Sequence, residues 1–82
     1  MVEAIVLMNY LGGTGEKIDW YQTVKKQLLD IPGVVQVFGV LGGYDLVARV
    51  RADDLDKLTT LIADSLRSVP GIQSSHSLLV IF

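Results

Sequence analysis

Cysteine is absent from the 82 residues, which removes disulfides, thiolate nucleophiles and thiolate metal sites together and fits a reducing compartment. Histidine occurs once, at His76, so no second imidazole is available to frame a metal, and no metal or other cofactor is expected. With that inventory no serine has a recognisable histidine and acid partner, and no catalytic residue is nominated. Excess positive charge is also missing: seven Lys and Arg stand against nine Asp and Glu, for a net charge of −2. The bases are scattered as Lys17, Lys25, Lys26, Arg49, Arg51, Lys57 and Arg67, so a direct grip on a nucleic-acid backbone is not expected. No apolar run approaches the ~20 residues needed to cross a bilayer. Met1 to Met8 holds Glu3 inside an apolar run and lacks a basic leader, so it reads as a strand and not as a signal peptide. These absences together predict a cytoplasmic protein with no membrane partner.

What the chain does have is apolar material. Half of its residues are hydrophobic, only 20% are charged, and the mean hydropathy is +0.44 in 9.0 kDa. A single domain of this size buries only about 60–65% of its unfolded surface. More apolar surface is present than one such domain hides, so part of it should be covered by another copy.

Residues 2 to 9, rich in Val, Ile and Leu, read as a first strand closed by the turn-prone Gly12-Gly13-Thr14-Gly15. Asp19 followed by Gln22 has the spacing of a capping box, and Val24, Leu28 and Ile31 fall on one helical face. Ile31-Pro32-Gly33 stops that helix, because the residue before proline is pushed out of the helical region. Val34 to Leu41 reads as a second strand, and Gly42-Gly43-Tyr44 as a tight connection to a third over Asp45 to Ala52. Asp53 or Asp54 caps a second helix with a buried stripe of Leu55, Leu58, Ile62, Leu66 and Val69. Val69-Pro70-Gly71 ends it, and Ile72 to Phe82 reads as a fourth strand.

The two halves share a punctuation mark, Ile31-Pro32-Gly33-Val34 against Val69-Pro70-Gly71-Ile72. The order βαββαβ predicts an α+β, ferredoxin-like fold: one antiparallel four-stranded sheet with both helices on one face. The first strand is apolar on both alternations, Ile5 and Leu7 against Ala4, Val6 and Met8, and so is the last from Leu78 onward. Helices cover only one face. A sheet-to-sheet homodimer, the dimeric α/β-barrel arrangement, would cover the other.

Gly42-Gly43-Tyr44-Asp45 is the stretch richest in chemistry. Glycine-rich loop amides can hold a carboxylate, with an acid beside them for an ammonium, and an α-amino acid carries both groups. On spacing alone, a tight turn accounts for the same glycines first. Ser75 and Ser77 share one strand face and can aim two hydroxyls at a small polar ligand, although serines on a half-exposed strand are ordinary. His76 projects to the opposite face and reads as structural. Gly12 to Lys17 lacks the spacing of a phosphate loop. Trp20 and Tyr21 read as core or interface residues, and Arg49 and Arg51 face away from the helices.

Three stretches resemble one known family. Ile31-Pro32-Gly33-Val34, Val40-Leu41-Gly42-Gly43-Tyr44-Asp45-Leu46, and Val69-Pro70-Gly71-Ile72 followed by Ser75-His76-Ser77 resemble the effector-binding domain of the Lrp/AsnC transcription regulators, the RAM domain. The resemblance implies sheet-to-sheet dimers joined into closed rings, commonly octamers. It also implies small effectors, typically amino acids, held between dimers. Position by position, it nominates Leu41, Gly42, Gly43, Tyr44 and Asp45 for the loop contact, and Ser75 and Ser77 for paired hydroxyls. The family's usual threonines are serines here, Gly43 stands where an acidic or polar residue is commoner, and the Gly12 to Gly15 loop is longer than usual. Members normally carry a helix-turn-helix ahead of this domain, whereas Met1 opens directly into the first strand. A single stand-alone domain over residues 1–82, without a DNA-binding domain, is therefore expected.

The sequence thus predicts a non-catalytic amino-acid sensor and oligomerisation module in transcriptional regulation, acting through its assembly state or through pairing with a full-length regulator of the family. Its rivals are an enzyme of the dimeric α/β-barrel class, such as a small monooxygenase or isomerase, and a purely structural oligomerisation module.

Overall fold

A computed structural model of the chain describes residues 1–10 and 19–81. The expected Gly12–Gly15 connection lies outside the described residues, as do the side chains of Asp19 and Trp20 and the expected end of the last strand at Phe82. Four strands and two helices follow the order read from the sequence: β1 (Val2–Tyr10), α1 (Asp19–Leu29), β2 (Val34–Gly39), β3 (Leu46–Ala52), α2 (Leu55–Thr60) and β4 (Ile72–Val80). A π-helical segment, Leu61–Leu66, continues α2. The strands form one antiparallel sheet in the order β2-β3-β1-β4, the ferredoxin-like topology.

Strand alternation builds the core. Ala4, Val6 and Met8 of β1 and Leu46, Ala48 and Val50 of β3 are fully buried against Val24 and Leu28 of α1 and Leu58 and Leu66 beyond it. Helix α1 lies over β2, and α2 lies over β3 and β1. Tyr21 on α1 reaches the end of β2, where its hydroxyl accepts the Gly39 N–H at 2.7 Å. A Cβ at Gly39 would stand 2.7 Å from the Tyr21 ring, so the tyrosine fits only over a glycine.

Two expectations about the elements change. Strand β2 ends at Gly39 instead of running to Leu41, because Val40 turns its N–H to the carbonyl of Asp45. It also carries a bulge between Val34 and Gln36, which sends Val37 into the core and Phe38 to the open face. In the second helix, Asp54 is the cap, accepting the Lys57 N–H at 2.8 Å. The predicted stripe is shifted: Leu55 is 55% exposed, Leu61 takes an inward place, and Ile62 is half-buried. The cause is the π-helical segment, whose wider turn moves the apolar stripe to Leu58, Leu61 and Leu66.

The face of the sheet away from the helices carries Ile5, Leu7, Val47, Phe38, Leu78 and Val80 in its middle. Phe38 is 48%, Leu78 56% and Val80 41% exposed. Among the described residues no helix is long and apolar enough to cross a membrane.

Candidate functional site

The hairpin between β2 and β3 is pinned at its base and exposed at its tip. Val40 N–H donates to the Asp45 carbonyl and Asp45 N–H to the Met8 carbonyl, each at 3.0 Å. The Asp45 carboxylate turns back to β1, where its Oδ2 accepts the Tyr10 N–H at 2.9 Å. The tip differs. Leu41 is fully exposed, Gly42 adopts φ +139°, and nothing lies within 4 Å of where a Cβ would stand on Gly42 or Gly43. Only glycine takes that φ without strain.

Tyr44 leaves the loop toward β4 and meets His76 edge to face, ring centroids 5.7 Å apart and planes at 63°. His76 is level with Leu7, and so lies on the open face. Sequence reading gave His76 a bland structural role; the fold makes it the contact that links the hairpin to the far edge strand. Beside it, the Asn9 amide donates to Ser74 Oγ at 3.1 Å.

Ser75 and Ser77 are level with Met8 and Val6, so both hydroxyls lie on the helix side of the sheet. There Ser75 Oγ accepts the Nε–H of Arg67 at 3.0 Å. The seven nominated residues therefore form two groups at one end of the sheet. The hairpin enters β3 at Leu46, which pairs with Met8, which pairs with Ser75. Two strand spacings, about 10 Å, separate hairpin base from Ser75 within one chain.

Sequence reasoning missed Arg67. Its signal was the reversal at Val69-Pro70-Gly71, which returns the chain from the helix onto β4 and brings a base at the helix end beside the strand's first polar residues. Reasoning also left Arg49 and Arg51 without partners. They clasp Glu3, Arg49 at 3.0 Å and Arg51 at 3.2 Å, while Arg49 also donates to Gln36 Oε1 at 3.2 Å. The hydrogen bond from Arg49 holds the Glu3 carboxyl below its ordinary range, aided by the charge of both arginines and opposed by partial desolvation. The Arg51 Nε is buried with no acceptor. Among the described residues no group of histidine, aspartate or glutamate is placed to hold a metal.

A four-stranded antiparallel sheet in the order β2-β3-β1-β4, with both helices on one face and an apolar open face, defines a small α+β domain of the ferredoxin-like class. The chain belongs to the Lrp/AsnC ligand binding domain family, whose profile matches residues 4–81. It is 30% identical over 61 residues to the HTH-type transcriptional regulator FL11 of Pyrococcus horikoshii, a match covering 74% of this chain and 40% of that regulator. The chain thus spans less than half the length of the curated regulators it matches. Its structure is similar to the crystal structure of FFRP-DM1, with a TM-score of 0.83 and 32% identity, covering 99% of this chain and 100% of that one. A homocitrate synthase from Sulfurisphaera tokodaii is 36% identical over 58 residues, 71% of this chain but 12% of the enzyme.

Proposed function

We propose that this chain is a non-catalytic sensor domain in the cytoplasm, binding an amino acid or related metabolite between dimers of a larger ring, an octamer in the family's pattern. It needs no cofactor. Effector binding shifts the assembly, or its pairing with a full-length Lrp/AsnC regulator, and so reaches transcription of amino-acid metabolism. Leu41, Gly42, Gly43, Tyr44 and Asp45 form one side of the site, and Ser75 and Ser77 the other.

The observation that carries this reading is the separation of those two groups. They share one end of the sheet, yet Ser75 and Ser77 turn to its helix side, while Tyr44 crosses to β4 on the open face, against His76. With the sheet between them, each effector would draw the loop from one copy and the serines from another. The loop tip supports a binding role: the Gly42 and Gly43 amides meet no acceptor among the described residues. The open face supports self-association, because Phe38, Leu78 and Val80 remain exposed on it. A groove of 350 Å³ beside the free edge of β2, lined by Tyr21, Leu29, Val35 and Phe38 among others, gives a second apolar surface for a neighbouring copy. Occupying a site between copies couples ligand to assembly by mass action. The short matching stretch in homocitrate synthase supports a regulatory module that is joined to different proteins.

A thermal-shift screen of the amino acids, with light scattering on each hit, tests the reading. At a hundredfold excess over Kd a ligand adds about 2.7 kcal/mol, a rise in Tm on the order of 10 °C for a domain of this size. A selective rise with a change in mass supports a sensor whose site depends on assembly. A flat screen over an unchanging oligomer would leave the chain a scaffold.

A further inference from the structure

We infer that Arg67, with the hydroxyls of Ser75 and Ser77, forms a carboxylate-binding subsite on the helix side of β4. The inference rests on the effector site proposed above and assigns the part of the ligand that its β4 half takes.

The turn that follows the π-helical segment sets the geometry. Val69 N–H donates to Leu66 O and Ile72 N–H to Val69 O, so the chain doubles back and β4 starts beneath the helix end. Arg67 then lies over the first polar residues of the strand, and its Nε–H donates to Ser75 Oγ at 3.0 Å. The position alone suits a cation, since a helix C-terminus favours positive charge. That explains a base at residue 67 but not a guanidinium aimed across the turn at a strand hydroxyl.

The charge of Arg67 is unspent. The ion pairs among the described residues engage Arg49, Arg51 and Lys57, whereas Arg67 meets no acid. Its Nε–H is used by Ser75, which leaves the two terminal amino groups free to donate. Because Ser75 Oγ is the acceptor in that bond, its own O–H points onward. Ser77, two residues along on the same face and exposed, meets no partner among the described residues. Alternate strand residues stand about 7 Å apart, a span that one carboxylate with a hydrogen bond to each oxygen bridges. Next on the same face comes Leu79, 50% exposed, an apolar wall for the rest of the ligand.

One fork-shaped cation and two neutral hydroxyls match a planar, singly charged anion. A phosphate would call for more positive charge than this corner holds. With the carboxylate on Arg67, Asp45 of the neighbouring copy's loop is left to meet the ammonium through its second oxygen, and the Gly42 and Gly43 amides are left for another acceptor of the ligand.

The test is a nuclear magnetic resonance titration of the intact, nitrogen-15-labelled chain, following the Nε–Hε signal of Arg67 and the backbone amides of Ser75, Ser77, Gly42 and Gly43. The probes are acetate, glycine, glycinamide and inorganic phosphate, against chloride at equal ionic strength. Acetate and glycine should shift Arg67 and Ser75 saturably while glycinamide and chloride do not. Arg67→Met should weaken both carboxylates at least tenfold, and Arg67→Lys should restore part of the loss by returning charge without the fork. Carboxylates that move only Gly42 and Gly43, that move nothing, or that bind Arg67→Met unchanged would overturn the inference, as would tighter saturation by phosphate. The broader sensor reading fails separately, through a flat amino-acid screen in a chain whose Arg67 still responds to acetate.

Discussion

The backbone N–H of Tyr10 donates to Oδ2 of Asp45 at 2.9 Å, so the acid that closes the β2–β3 hairpin also holds the last residue of β1. Asp45 thus has a structural duty beside any role toward a ligand. Replacing it with alanine removes the carboxylate that accepts the Tyr10 N–H, and should cost about 1–3 kcal/mol in urea unfolding. Asp45→Asn keeps a side-chain oxygen as acceptor and should recover most of that stability while losing the charge an ammonium would meet. Equal stability of wild type and Asp45→Ala would show that the bond contributes nothing.

Gly33 is fixed twice over. Its φ is +101°, and a Cβ there would stand 2.8 Å from the carbonyl oxygen of Arg51. Its own carbonyl accepts the Arg51 N–H at 2.7 Å, so the backbone has no room to retreat. Gly33→Ala should lower stability by roughly 1–3 kcal/mol or more. Gly42→Ala, with strained φ but open surroundings, should cost less, and differential scanning calorimetry of the two variants gives the order.

Glu3 makes stability depend on acid. The Arg49 hydrogen bond and the neighbouring arginine charges lower its pKa from the ordinary 4.5. A carboxyl depressed in the folded state adds stability that is complete above its unfolded pKa and fades as pH falls through the folded one. Wild type should therefore exceed Glu3→Gln in urea midpoint at neutral pH, and the two curves should converge on acidification below 4.5. Parallel curves across that range would remove Glu3 from the acid response.

Leu78 projects from the open face, 56% exposed, so an aspartate there is tolerated by an isolated chain and resisted by a dry interface. Leu78→Asp should keep the far-ultraviolet circular dichroism of wild type while light scattering reports a smaller particle. An unchanged mass would place self-association on another surface.

The Tyr44–His76 contact braces an otherwise exposed tip. Aromatic pairs of this geometry contribute about 0.5–1.5 kcal/mol. In His76→Ala, hydrogen exchange at residues 41 to 44 should quicken by a few-fold to about tenfold, with β1 and β3 unaffected. Unchanged exchange would mean that the loop is held at its base alone.

The elements were legible from the chain itself because their causes are local. Proline after Ile31 and after Val69 ends two helical runs wherever those segments lie, and strand alternation groups Ala4, Val6 and Met8 without reference to any partner. The two turns in the order β-α-β, β-α-β leave few sheets to choose from, and the ferredoxin-like one is found. Alternation also put Ser75 and Ser77 on one face and His76 on the other, as the register bears out.

Tertiary structure decided what those faces meet. A period of two says that the serines point together, but only the pairing of Ser75 with Met8 turns them to the helix side, where Arg67 waits, and only the pairing of His76 with Leu7 turns it toward Tyr44. The clasp of Glu3 by Arg49 and Arg51 joins residues 46 and 48 positions apart, beyond any local pattern. The shift of the buried stripe to Leu61 depends on a π-helical turn that apolar spacing of three and four does not announce. Local chain chemistry sets where strands and helices begin and end; long-range register and packing set which side chains share a site.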